Sequence, residues 1–211
     1  MKYLDELKDA DYYNVKERGN NYFYTKILRG EKVAKLYKRD EAGKETLLFD
    51  PEKYMTGKTY EISDFSPNQD GTIMSLGLAE SGAEIGENRF LDLKTNKLLP
   101  DVLTPVWGGI TAWAPDQKSV IYMKFQNADN TSTDMLKDMR SMHHVIGSAV
   151  SKDVEVASRM KNPTLNIKPE NWVSVYFSDD YKNMFLSVGS VKNEQLVYYA
   201  PTSEFGKEKI T

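Results

Sequence analysis

Three stretches of the chain share one polar-to-apolar pattern. Each begins with an aromatic residue, passes through a short turn rich in Ser, Pro, Asp or Asn, and continues with an apolar residue at every second position. The first is Phe65-Ser66-Pro67-Asn68-Gln69-Asp70-Gly71, leading to Met74, Leu76 and Leu78. The second is Trp113-Ala114-Pro115-Asp116-Gln117-Lys118-Ser119, leading to Ile121, Met123 and Phe125. The third is Phe177-Ser178-Asp179-Asp180-Tyr181-Lys182-Asn183, leading to Met184, Leu186 and Val188. A period of two puts those side chains on one face of a β-strand. The turn residues supply the fixed or positive φ that a tight reversal needs.

Further strands are expected between these anchors: 21–27, 33–37, 45–49, 89–93 paired with 97–99 across Lys94-Thr95-Asn96, 154–157, 173–177 and 195–199. Segment 81–87 reads as a hairpin tip. Helix is scarce: Tyr3, Leu4 and Leu7 suggest one N-terminal turn, and Met135, Met139 and Met142 a short helical turn followed by a strand.

Phe65 and Trp113 are 48 residues apart, and Trp113 and Phe177 are 64 apart. The polar stretch 126–134 accounts for the longer interval. Repeats of about 40–50 residues made of short strands are the mark of propeller blades, which bury their faces only by stacking on one another. The expected fold is all-β: a partial β-propeller of roughly four blades, each a four-stranded antiparallel sheet. The expected boundaries are an N-terminal segment 1–15 and a propeller 16–211, with blades near 18–52, 58–101, 105–160 and 170–211. The chain could close as a four-bladed ring or form about half of a larger one.

The composition narrows the chemistry. The 211 residues include no Cys and two His, and 28 basic residues face 31 acidic ones. Thiol nucleophiles and Cys-ligated metals are excluded. No basic footprint for nucleic acid or anionic membrane stands out. No apolar run reaches membrane-span length. The charged start, Met1 to Asp9, is not the apolar core of a signal peptide, so either the protein is not exported by that route or Met1 is not the original start. The compartment, cytoplasmic or periplasmic, stays open.

Nucleophilic catalysis finds no machinery here. No G-x-S-x-G elbow occurs, and no catalytic residue is assigned. His143 and His144, one on each face of a strand, read as structural or solvated. No cofactor-binding residue is assigned, because Gly77, Gly82 and Gly86 lack dinucleotide or phosphate-loop spacing. No metal ligand is assigned either, since Asp179-Asp180 reads as an Asx-turn. Trp113 and Trp172 read as blade-to-blade packing.

The order of these segments resembles the propeller domain of the prolyl oligopeptidase family of serine peptidases. The resemblance rests on Arg18-Gly19-Asn20-Asn21-Tyr22-Phe23-Tyr24, on Leu48-Phe49-Asp50-Pro51, and on Phe65-Ser66-Pro67 with Gly71 and Leu76 to Gly82. It extends through Pro100-Asp101-Val102-Leu103, Ile110-Thr111-Ala112-Trp113 and His144-Val145-Ile146-Gly147. The resemblance implies about half of a seven-bladed ring capping an α/β-hydrolase domain that cleaves short peptides after proline. On that reading this chain gates and size-selects substrate, lacks the catalytic domain and is inactive alone. The implied partners are the hydrolase domain of the parent chain and short proline-containing peptides. The resemblance also places Trp107 and Gly108 on the substrate path, Gly108 standing about where the family has an aromatic side chain. The alternative is a freestanding binding module, in which a homodimer closes the ring to cover bare blade faces.

Overall fold

A computed structural model describes residues 9–126, 129 and 131–207. It is all-β with antiparallel sheets that do not close into a ring. The first sheet is a four-stranded meander of β1 (Ala10–Arg18), β2 (Asn21–Leu28), β3 (Lys35–Arg39) and β4 (Glu45–Phe49). A seven-stranded sheet follows: β5 (Tyr60–Pro67), β6 (Ile73–Glu80), β7 (Ile85–Asp92), β8 (Lys97–Trp113), β9 (Ser119–Lys124), β10 (Arg140–Val145) and β11 (Val154–Ala157). The last sheet has three strands, β12 (Trp172–Phe177), β13 (Asn183–Gly189) and β14 (Leu196–Pro201).

The seven-stranded sheet is two blades joined by one strand. Residues 97–103 of β8 pair with β7 as the outer strand of one blade, Leu91 opposite Leu98 and Asn88 opposite Leu103. Further along, Ile110, Ala112 and Trp113 pair with Tyr122, Ile121 and Val120 of β9, forming the first strand of the next. We call the four units blades 1 to 4. A break was expected between residues 101 and 105, yet the strand runs through it. Two short apolar stretches with a Pro between them look like two strands in sequence, whereas each half finds its own ladder partner in space.

The alternating residues face where period two puts them. Phe23, Leu36, Met74, Leu76, Leu78 and Leu91 pack blade 1 on blade 2. Phe90, Leu103, Trp113, Val120 and Tyr122 pack blade 2 on blade 3. Ile121, Val173, Val175, Leu186 and Val188 pack blade 3 on blade 4. Blades 2 and 3 thus use both faces, as stacked blades require, and blades 1 and 4 one face each.

The expected turns form. Asp92 accepts from the backbone N–H groups of Lys94 and Thr95 at 2.9 and 2.7 Å, and Asn96 takes the positive φ. Ser81 and Gly82 turn the 80s hairpin, though β7 begins already at Ile85. The segment before β10 is turn rather than α-helix, and β10 follows it as a strand. Strand β1 has no clear alternation because Asn14, at positive φ, puts an irregularity between Tyr13 and Lys16. The helical turn expected around Tyr3 to Leu7 lies outside the described residues, as do parts of the polar 126–134 stretch and the end of the tail.

Candidate functional site

Four strands, β1, β5, the second half of β8 and β12, lie side by side, one from each blade. Lys16 on β1 pairs with Asp64 on β5 at 3.1 Å, donates to the Phe65 carbonyl, and sits 4.9 Å from the Phe65 ring centroid. The Thr111 hydroxyl on β8 lies 2.9 Å from the Val175 carbonyl oxygen on β12 and 3.1 Å from that of Ile121. Glycine governs the approach of β8 to blade 2. A Cβ at Gly77 would stand 2.8 Å from Ser63 Oγ and 3.0 Å from the Gly108 carbonyl oxygen, and one at Gly109 would collide with the Asp64 side chain. Larger residues there would push blade 3 outward.

Where these strands end, all four blades contribute to one open cleft of about 760 Å³. Arg18, Ser66, Trp113, Tyr176, Phe177 and Asp179 line it. The aromatic residues of two repeats, Trp113 and Phe177, therefore stand at one open cleft. Trp113 also donates its indole N–H to the Ser66 carbonyl at 3.1 Å, which ties blade 3 to blade 2. The neighbouring turns interlock: Gln117 accepts from Gln69 N–H at 2.7 Å, and the Asn68 side chain donates to the Gln117 carbonyl at 3.2 Å. Asp180 accepts from the Ser178 hydroxyl and from Lys182 N–H, which hold its carboxyl down at about 2. That is an Asx-turn, and no group of three potential metal ligands occurs among the described residues.

Trp107 and Gly108 sit at the other end of this β8 segment. Trp107 is half-buried and meets Trp172 edge-on, ring centroids 5.5 Å apart, beside Phe125, Met135 and Met139. Gly108 has φ +70°, and a Cβ there would meet nothing within 4 Å. The two are thus neighbours in the chain with different surroundings, the indole packed on Trp172 and the glycine with open space beside it.

The two histidines point to opposite faces of β10. His143 Nε2 is 2.7 Å from Ser119 Oγ, which is itself 2.9 Å from both Asp116 oxygens. This is no hydrolytic triad: the serine stands between the other two and is fully buried, whereas catalysis needs the imidazole in the middle. Burial lowers the His143 pKa, the adjacent His144 adds to this, and Asp116 and Asp153 oppose it. His144 is fully buried, its Nδ1 2.7 Å from Asp153 Oδ1 and its Nε2 3.1 Å from Asp101 Oδ1. Both histidines were expected to be structural or solvated, and their partners were not foreseen, because Asp101 and His144 are far apart along the chain. Lys16 and Arg18 were likewise missed, since an irregular strand hides its facing.

Comparison with known proteins places the geometry. The family described as prolyl oligopeptidase, N-terminal beta-propeller domain, matches residues 2–210. A prolyl endopeptidase from Elizabethkingia meningoseptica is 24% identical over 210 residues, covering 94% of this chain and 28% of that protein. A dipeptidyl aminopeptidase BI from Pseudoxanthomonas mexicana is 28% identical over 118 residues, 56% of this chain and 15% of that protein. Among solved structures, a prolyl endopeptidase superposes with TM-score 0.77 at 22% identity, covering 95% of this chain and 29% of that one. Oligopeptidase B from Leishmania major gives 0.74 at 15% identity, covering 98% and 28%. The chain spans little more than a quarter of the length of these prolyl endopeptidases.

Proposed function

Since the chain belongs to the N-terminal β-propeller family of the prolyl oligopeptidases, we propose that it is the gate of a serine peptidase that cleaves short peptides after proline. Its partner is an α/β-hydrolase domain of the same parent protein. The observation that carries this reading is the open cleft to which one strand from each of the four blades contributes, beside the family match over residues 2–210. The propeller admits or refuses peptide, and the hydrolase cuts. In this reading the first blade begins with β1 at Ala10, earlier than the expected boundary after residue 15, and the four blades make up about half of the ring.

Trp107 and Gly108 line the path by which peptide reaches the hydrolase. The open space beside Gly108 leaves room for a substrate side chain, and Trp107 supplies an aromatic wall. Replacing Trp107 by Ala in the whole natural protein should raise kcat/KM for longer proline-containing peptides relative to short ones. An unchanged ratio would remove Trp107 from the path.

A second reading keeps the ring but changes its completion. The outward face of blade 4 carries a row of Tyr176, Phe185 and Tyr199 in register, with Tyr199 77% exposed. The outward face of blade 1 carries Tyr12, Tyr24 and Tyr37. Two copies joined blade 4 to blade 1 would bury both rows in a homodimeric ring acting as a binding module. A monomer of ordinary solubility by light scattering would count against the dimer.

A further inference from the structure

Blades 2 and 3 meet around a buried ionic cluster that the channel does not use. Asp101 comes from the blade 2 half of β8, and His144 from β10 in blade 3. Asp153 precedes β11. The side chain of His144 is 0% exposed, and those of Asp101 and Asp153 are each 2% exposed. Both ring nitrogens of His144 lie within hydrogen-bond distance of a carboxylate oxygen.

That geometry constrains the protons. A neutral imidazole has one N–H and one lone pair. With either tautomer, a lone pair would face a carboxylate oxygen in a site closed to bulk solvent, where the repulsion is weakly screened. Each carboxylate accepts one hydrogen bond besides that of the histidine, and Asp101 Oδ2 is buried with no partner among the described residues. The Tyr122 hydroxyl donates to Asp153 Oδ2 at 2.8 Å, and Gly147 N–H donates to Asp101 Oδ1 at 2.6 Å. Burial and this bond to Asp153 raise the Tyr122 pKa, so the phenol keeps its proton. Phe90 on β7 of blade 2 stacks over the imidazole, ring centroids 6.2 Å apart and planes 17° apart, as suits a cation against a π face.

We propose that His144 is an imidazolium clamped between Asp101 and Asp153, and that this clamp makes blades 2 and 3 one rigid unit. Two further devices act on the same junction: β8 runs through both blades, and the Trp113 and Gln117 hydrogen bonds tie their turns. Relative motion of the blades therefore falls at the flanking junctions. A buried ion pair is costly to break from one side, because the remaining charge loses its partner, and that cost is what fixes the unit.

The test uses the whole natural protein. Nitrogen-15 NMR should show both ring nitrogens of His144 protonated at neutral pH, with the signal assigned by its loss in His144→Gln. A single protonated nitrogen overturns the proposal. Hydrogen exchange should show residues 97–103 and 140–145 opening together, more slowly than residues 183–189. In Asp101→Asn, which preserves the side-chain size, exchange of 97–103 should rise at least about tenfold while 183–189 stays unchanged. If 97–103 and 140–145 open independently, or if Asp101→Asn leaves their exchange unchanged, the blades are not one unit. Should His144→Gln fail to fold, assignment through Asp101→Asn keeps the NMR test decisive.

Discussion

The junction between blades 2 and 3 and that between blades 3 and 4 are built differently. The first carries a shared strand, a buried histidine between two aspartates and interlocking turn side chains. The second rests on an apolar layer of Ile121, Val156, Val173, Val175, Leu186 and Val188, with ring contacts of Trp107 on Trp172 and His143 on Phe205 and the Thr111 hydroxyl beside the Val175 carbonyl as its inner-edge polar contact. Apolar contact is non-directional, so such a layer resists separation while tolerating small slides. Hydrogen bonds and buried charge fix geometry as well as contact. On the proposed gating reading, one locked pair and one more apolar neighbour let the propeller widen on one side without losing its frame.

Substitutions at three positions and one titration sharpen the contrast. The largest effect is expected from His144→Gln, which leaves two buried carboxylates facing each other. Loss of a partner in such a site costs about 3–5 kcal/mol, read as a fall in the midpoint of denaturant unfolding. Next comes Leu186→Ala at the 3–4 junction, where truncation of a buried leucine costs about 2–5 kcal/mol. The two differ in kind: Leu186→Met should restore most of the stability, whereas no uncharged residue at position 144 should. Smaller is Trp113→Phe, which keeps an aromatic ring against Phe90 but loses the bond to the Ser66 carbonyl. About 1 kcal/mol is expected, and a loss above about 3 would show that the indole body carries the junction instead.

The smallest effect comes from His143 on the opposite face of β10. Its folded pKa lies below the unfolded value, so the unfolded chain binds the proton more readily. Its contribution is fully present above the ordinary histidine range and is lost as pH falls through the lowered value. Unfolding midpoints should therefore drop from neutral pH into mild acid, and His143→Gln should flatten that part of the profile. A profile unchanged by the substitution would put the acid sensitivity elsewhere.

How far the sequence could be read follows from what each feature depends on. The three turns and the strands after them were legible because alternation and turn chemistry are local. Trp113 was legible as a junction residue because it stands where Phe65 and Phe177 stand. The fusion of two blades through β8 was not, since strand continuity across residues 101–105 depends on partners in two different ladders. The Asp101–His144–Asp153 cluster was hidden for the same reason: its members are near one another only in the fold. Trp107 and Gly108 were singled out by resemblance, and what the fold adds is their surroundings, an indole packed on Trp172 and a glycine facing open space.

The most direct test of the gate is cleavage of proline-containing peptides of increasing length by the whole natural protein, run beside residues 1–211 alone. The account predicts that kcat/KM falls steeply once peptides outgrow the channel and that the 211-residue chain cleaves none of them. Length-independent cleavage by the whole protein, or cleavage by these residues alone, would contradict it.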